Sequence, residues 1–250
     1  MSLLRVLMEL TSKKAELIVP FHYTEWLQAA IYSAMGQPVA QAVHDVGFPV
    51  DNRALKLFTF SRLLGKYRVG RETLSFSSPV KLVVASPLKI MIQEFVNAIV
   101  FRNEFRLGPE VLTLSQITVD NSQVDKPYVR VKTLSPISTH STLSKGDGSK
   151  YTVYYHPREQ EFSQFLHQNL VRKYLAIHGQ PWRASDVRVH ITGKTESKMN
   201  IVYYKDTIIK GYSGVFDISG PVELLQTGMD AGFGDRSSLG FGLVELMGRR

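Results

Sequence analysis

Apolar residues recur at helical spacing in four places along the chain. Between Phe21 and Ala34, Leu27, Ala30, Ile31 and Ala34 fall on one side of a predicted helix, and Glu25, Gln28 and Tyr32 share the polar side. After Ser86 and Pro87, a cap and first-turn pair, Leu88, Met91, Ile92, Phe95 and Ile99 make a second apolar face. Phe162, Phe165, Leu166, Leu170, Tyr174 and Ile177 mark a longer helix that stops near Gly179, and a short one starts at Pro221. Strands are predicted at Met1 to Leu10, in "LKLFTFSRLL" (55–64), in a segment from Lys66 to Ser77 folded near Gly70, and from Val111 to Val119. Further strands are "YVRVKTL" (128–134), Asp186 to Thr192, Val202 to Ile218 and the closing "GFGLVELM" (240–247). Ser138 to Ser149, rich in Ser, Thr and Gly, reads as a loop.

The polar stretch "DNSQVDKP", Asp120 to Pro127, has no periodicity and divides the pattern into two similar halves, 1–122 and 123–250. Each half reads β-α-β-β-α-β. The fold class is therefore α+β, with two tandem ferredoxin-like (RRM-like) domains packed side by side.

Charge narrows the class of partner. Thirty Lys and Arg stand against twenty-two Asp and Glu, a formal net charge of +8, which favours an anionic partner such as nucleic acid. Cysteine is absent, which excludes disulfides and thiolate chemistry and makes a reducing cytoplasm the expected compartment. No apolar run approaches the roughly 18 residues of a membrane span, so no membrane partner is expected. His156, His167 and His178 repeat every eleven residues, which on one helix would set them about 16 Å apart, too far to share a metal.

The densest glycine cluster is Gly232 to Gly242, "GFGDRSSLGFG". Glycines 232 and 234 would need a third at position 237 for a dinucleotide fingerprint, and glycines 240 and 242 one at 245; Ser237 and Glu245 stand there instead. The cluster follows a helix and leads into a strand, the reverse of a nucleotide-binding turn. Two readings stay open. One is a hairpin with glycine bends; the other is a phosphate cradle in which Arg236, Ser237 and Ser238 act with free backbone N–H groups.

The doubled Gly-Phe-Gly before a C-terminal strand resembles the glycine-rich loop of the repeat-associated RNA-binding proteins of CRISPR systems. "AIYSAM", "AVHDVGF", "LKLFTFSRL" and "VKTLSPIS", in that order, resemble the motifs of the Cas6 family within that group, the endoribonucleases that cut precursor CRISPR RNA inside each repeat. The resemblance spans nearly the whole chain. It implies metal-independent cleavage in which the ribose 2′-hydroxyl attacks the adjacent phosphate, leaving a 2′,3′-cyclic phosphate and a 5′-hydroxyl, with no cofactor. His44 then matches the catalytic histidine, Tyr32 the tyrosine and Lys56 the lysine. Those types suit the reaction: histidine exchanges protons near neutrality, tyrosine donates a hydrogen bond and lysine supplies charge. Candidate RNA contacts are Gly232, Gly234, Arg236, Ser237, Ser238, Gly240 and Gly242, with Lys66 and Arg68 beside Tyr67 on the predicted hairpin. The implied partner is CRISPR repeat RNA, with a CRISPR interference complex and a second copy of the chain as further candidates.

Two rival readings remain. One is an RNA-binding subunit with an idle His44. The other is a two-histidine cyclic phosphodiesterase built on "HST" (His140 to Thr142) and "HIT" (His190 to Thr192), which is disfavoured because His140 is expected in a loop.

Overall fold

The computed structural model describes residues 4–51, 53–120, 123–183, 187–192, 197–205 and 207–248, and the side chains of Leu4, His44, Val46 and Arg53 lie outside that description. The chain opens with β1 (Leu4–Ser12) and β2 (Glu16–Pro20), then α1 (Thr24–Ala34). A short helix α2 (Gln37–Gln41) runs into a π-helical turn, Ala42–Val46. Next come the hairpin β3 (Phe48–Val50) and β4 (Arg53–Leu55), the two-residue β5 (Thr59–Phe60), and the hairpin β6 (Tyr67–Val69) and β7 (Thr73–Ser77). The first half closes with β8 (Val80–Ser86), α3 (Lys89–Arg102), β9 (Glu104–Leu107) and β10 (Glu110–Asp120).

Those strands make a sheet in the order β5-β8-β1-β10-β9. Without the added β9, the order and the intervening α1 and α3 are those of a ferredoxin-like domain. In β1, Val6, Met8 and Leu10 are buried on one face, packing with Leu27 and Ile31 of α1 and Met91, Phe95 and Ile99 of α3. Strand β8 is apolar on both faces, and the register explains it. Leu82 and Val84 join that helix-covered core, while Val83, which pairs with Leu7, and Ala85 lie in a separate cluster with Leu134 and Leu243 of the second half.

The second half runs β11 (Tyr128–Thr133), the hairpin β12 (His140–Ser144) and β13 (Lys150–Tyr154), and α4 (Gln160–His178), which ends at Gly179 in the left-handed region. Strands β14 (His190–Thr192), β15 (Ser197–Tyr204) and β16 (Thr207–Ser219) precede α5 (Val222–Ala231), a 3-10 turn (Ser237–Leu239) and β17 (Val244–Leu246). The order β14-β16-β11-β17 repeats the ferredoxin-like plan. The two domains sit side by side, joined by the Val83 cluster and by hydrogen bonds from Arg62 N to Leu134 O at 3.0 Å, Thr59 Oγ1 to Phe241 O at 2.9 Å and Arg5 Nη1 to Val244 O at 2.6 Å.

Three expectations need correction. The segment 138–149 is the β12 arm and the turn of a hairpin, because Thr142 and Leu143 pair with Thr152 and Tyr151 around a Gly146-Asp147-Gly148 turn in which Asp147 accepts from Ser149 N. The single strand expected over 202–218 belongs to a long hairpin whose first arm is β15. His156 lies before α4, so the three evenly spaced histidines do not share a helix. Among the described residues no helix is long and apolar enough to cross a membrane.

Candidate functional site

The glycine loop is a folded wedge between the domains. Phe233 and Phe241 are fully buried, and Gly232, Gly234, Gly240 and Gly242 all have positive φ. A Cβ at Gly242 would stand 2.2 Å from Phe233 O, and one at Gly234 would stand 2.4 Å from Ser138 O. The glycine bends of the hairpin reading are present, and the close approach that the glycines allow is to protein backbone. Beneath the loop, the buried Lys173 ammonium donates to Ala231 O, Gly232 O, Gly234 O and Ser237 Oγ at 3.0, 2.6, 2.9 and 2.7 Å. Burial pushes Lys173 down to about 7, and Asp235 opposes the shift.

The polar insert divides its side chains between inside and outside. Ser237 is buried with its hydroxyl on Lys173, whereas Arg236 is exposed, in the left-handed conformation at φ 62°. Ser238 presents its carbonyl to Gln28 Nε2 of α1 at 2.7 Å. Asp235 turns inward, its Oδ2 2.9 Å from His140 Nδ1 and its Oδ1 accepting from Asn169 Nδ2 at 3.0 Å. Burial alone would raise the Asp235 carboxyl, but His140 and Lys173 hold it below the ordinary range. Above the insert is an open cleft of about 440 Å³, lined by Lys56, His140, Thr142, Arg172, Arg236 and Ser238 among others.

Lys56 connects this cleft to a second one. At Gly47, φ 60°, an added Cβ would lie 3.0 Å from Lys56 Nζ, so the glycine lets the lysine cross the end of the π-helical turn. Lys56 is held below the ordinary lysine range by burial, with Asp45 of that turn opposing. Tyr32, whose ring meets Phe58 edge-on at 5.3 Å, lies with Asp45, Gln28, Glu25, Tyr204 and Lys205 around a cavity of about 440 Å³. Burial first, then Tyr204 and Asp45, push the Tyr32 phenol well above the usual tyrosine range. The tip of the β15–β16 hairpin closes this side: Tyr204 hydroxyl pairs with Gln28 Oε1, and Lys205 N donates to Glu25 at 2.9 Å.

The structure therefore brings Tyr32, Lys56 and the backbone of His44 to one turn, and it sets Arg236 and Ser238 in the neighbouring cleft that Lys56 also lines. The His44 side chain is outside the described residues. Lys66 and Arg68 stand elsewhere, on the exposed β6–β7 hairpin, where Arg68 pairs with Glu16. Tyr67 between them lines a separate groove with Phe21 and Tyr203. His140, contrary to expectation, opens a strand. His190 is on a strand too, but it belongs to the edge strand β14 near His167 and does not line the cleft with His140. Sequence reasoning missed Asp45, Arg172, Lys173, Asp235 and Tyr204. Asp45 had a signal in its place beside His44; a lysine in the middle of a helix had none.

The family model described as CRISPR associated protein Cas6, C-terminal, matches residues 119–246. The CRISPR-associated endoribonuclease Cas6 of Pyrococcus furiosus is 27% identical over 239 residues, 93% of this chain and 85% of that one. A solved structure described as characterization of a Cas6-related gene from Pyrococcus furiosus superposes with a TM-score of 0.85 at 24% identity, covering 99% of this chain and all of that one. Another, described as an RAMP protein binding different RNA substrates, gives 0.82 at 22% identity over 98% of this chain and all of that one.

Proposed function

This chain belongs to the Cas6 family of CRISPR-associated proteins, and from that premise we propose that it cuts precursor CRISPR RNA within its repeats by attack of a ribose 2′-hydroxyl on the adjacent phosphate. The products are a 2′,3′-cyclic phosphate and a 5′-hydroxyl. The observation that carries this reading is the convergence of Tyr32, Asp45 and Lys56 on the turn that holds His44, directly beside a cation-lined cleft.

The protonation states support a division of labour. Tyr32 keeps its proton, so it donates a hydrogen bond and does not serve as the base. Lys56 carries positive charge toward the phosphorane-like transition state, where charge accumulates on the non-bridging oxygens. Proton transfer with the attacking or departing oxygen then falls to His44. Arg236 and the backbone of the loop insert hold flanking phosphates, which are the sequence-independent part of RNA affinity.

Wild-type protein and His44→Ala are incubated with labelled repeat RNA in EDTA while cleavage and binding are followed together. General acid–base assistance is worth about 10² to 10⁴ in rate, so a fall of that order with binding intact is expected. Equal cleavage by the two proteins removes His44 from the chemistry. Tight binding without cleavage by the wild type makes the chain an RNA-binding subunit, and turnover of small cyclic nucleotides would favour a phosphodiesterase instead.

A further inference from the structure

The cleft above the loop insert has a built floor as well as a rim. Asp235 Oδ2 lies 2.9 Å from His140 Nδ1 and accepts the His140 backbone N–H at 3.2 Å, while Oδ1 takes the Asn169 amide at 3.0 Å. The Asp235 backbone N–H is also committed, to Ser138 O at 2.7 Å. A carboxylate fixed on so many sides orients a neighbour and does not bind a ligand itself. Nδ1 faces the Asp235 carboxylate, so Nε2 is the ring nitrogen left to meet whatever enters the cleft.

We propose that His140, oriented by Asp235, is the floor of a phosphate-binding site for the RNA backbone, with Arg172, Arg236 and Thr142 as its walls. The proposal rests on the reading of the chain as an RNA-cutting protein. Three observations carry it. First, His140 and Thr142 are two apart on β12, so both present the same strand face to the cleft, which they line together. Second, the field there is positive. The largely buried Asp235 charge is met by His140 and then by Lys173, and the cations of the lining, Lys56, Arg172 and Arg236, act on the cleft itself. Third, among the described residues Arg172 pairs with Asp51 alone, at 3.2 Å, with the Asp51 side chain 67% exposed, so a phosphate can displace that weak surface pairing. Donors converging from β12, α4 and the loop insert suit a tetrahedral group with several acceptor oxygens better than a planar base.

This gives the polar insert its purpose. The glycine wedge carries Asp235 inward to set His140 and leaves Arg236 outward for the ligand. The RNA contact is then a cleft shared by α4, β12 and the loop, and the glycines act from behind it.

The test uses the full chain labelled with ¹⁵N-histidine and titrated separately with repeat RNA and with inorganic phosphate. The His140 ring signals are identified by their loss in His140→Gln. Both probes are expected to shift the His140 ring nitrogens. His140→Gln and Arg172→Ala should each weaken repeat RNA binding about 5- to 10-fold, the worth of one net hydrogen bond. If RNA binds the wild type while the His140 signals stay still and both variants bind equally well, the phosphate site is wrong and the RNA reading stands. If phosphate moves His140 but RNA does not bind, the anion site stands and the RNA reading fails. Arg172→Ala keeps His140 in place, so misfolding of His140→Gln leaves the binding comparison of Arg172→Ala with wild type to decide.

Discussion

At the scale of single residues, the glycine loop separates two costs that usually travel together. Gly148 and Gly242 share a positive φ, near 80°, yet nothing lies within 4 Å of a Cβ at Gly148, whereas one at Gly242 would lie 2.2 Å from a backbone carbonyl. Gly148→Ala should cost only the left-handed strain of about 1–2 kcal/mol. Gly242→Ala adds overpacking of about 1–3 kcal/mol, for a total near 2–5 kcal/mol. Urea denaturation of the two variants checks the order, and equal losses would refute the wedge. Arg236 carries the converse: its own φ of 62° is strained, so Arg236→Gly should change stability by less than about 1 kcal/mol while flattening the salt dependence of RNA binding by about 0.7 for one lost phosphate contact. An unchanged salt slope would take Arg236 off the RNA.

At the scale of elements, the loop between α5 and β17 has its shape fixed from α4. Lys173 supplies donors to the last carbonyl of α5, to two loop carbonyls and to Ser237, and it sits within the field of Asp235. Lys173→Met keeps the length but leaves those buried carbonyls unpaired and removes one of the cations facing Asp235, at roughly 3–5 kcal/mol. Hydrogen exchange should quicken across 232–242 more than across β1, and uniform protection would show that the loop holds its own shape. The helices were legible from sequence because each buries one apolar stripe: Met91, Ile92, Phe95 and Ile99 are the buried side of α3, as their spacing predicts. Strand β8 was not legible, since burial on both faces removes the alternation that marks a strand. The β15–β16 hairpin was missed because its outer arm lies largely on the surface and its alternation carries no burial signal. The catalytic candidates could be named from short motifs, but Lys173 and Asp235 act through contacts 58 and more residues apart, which no local pattern encodes.

At the scale of the whole molecule, the junction of the two domains carries a buried carboxyl that makes stability depend on pH. Asp230 of α5 is 8% exposed, and burial lifts it to about 7, opposed by the Gln226 amide at 2.8 Å and by Arg5 of β1. Its folded-state value lies above the unfolded one, so the native state holds the proton more tightly. The stability it contributes is complete below about pH 4 and is lost as pH rises to about 7. Between pH 5 and pH 7.5 that loss should be about 2–3 kcal/mol. His167 works in the opposite sense. Burial, then Arg188 and His190, hold it below the ordinary histidine range, so its contribution grows as pH rises over part of the same window. Lys173, lowered to about 7, also gains with rising pH, mainly above that window. The raw stability curve therefore mixes opposing slopes, and the comparison that isolates the junction is wild type against Asp230→Asn. The neutral amide keeps the size of the side chain and cannot titrate, so the variant should lose the acid-side gain and be flatter than wild type, or slope upward, from pH 5 to 7.5. Parallel curves for the two proteins would place Asp230 in contact with water, and the domain junction would then be open at α5.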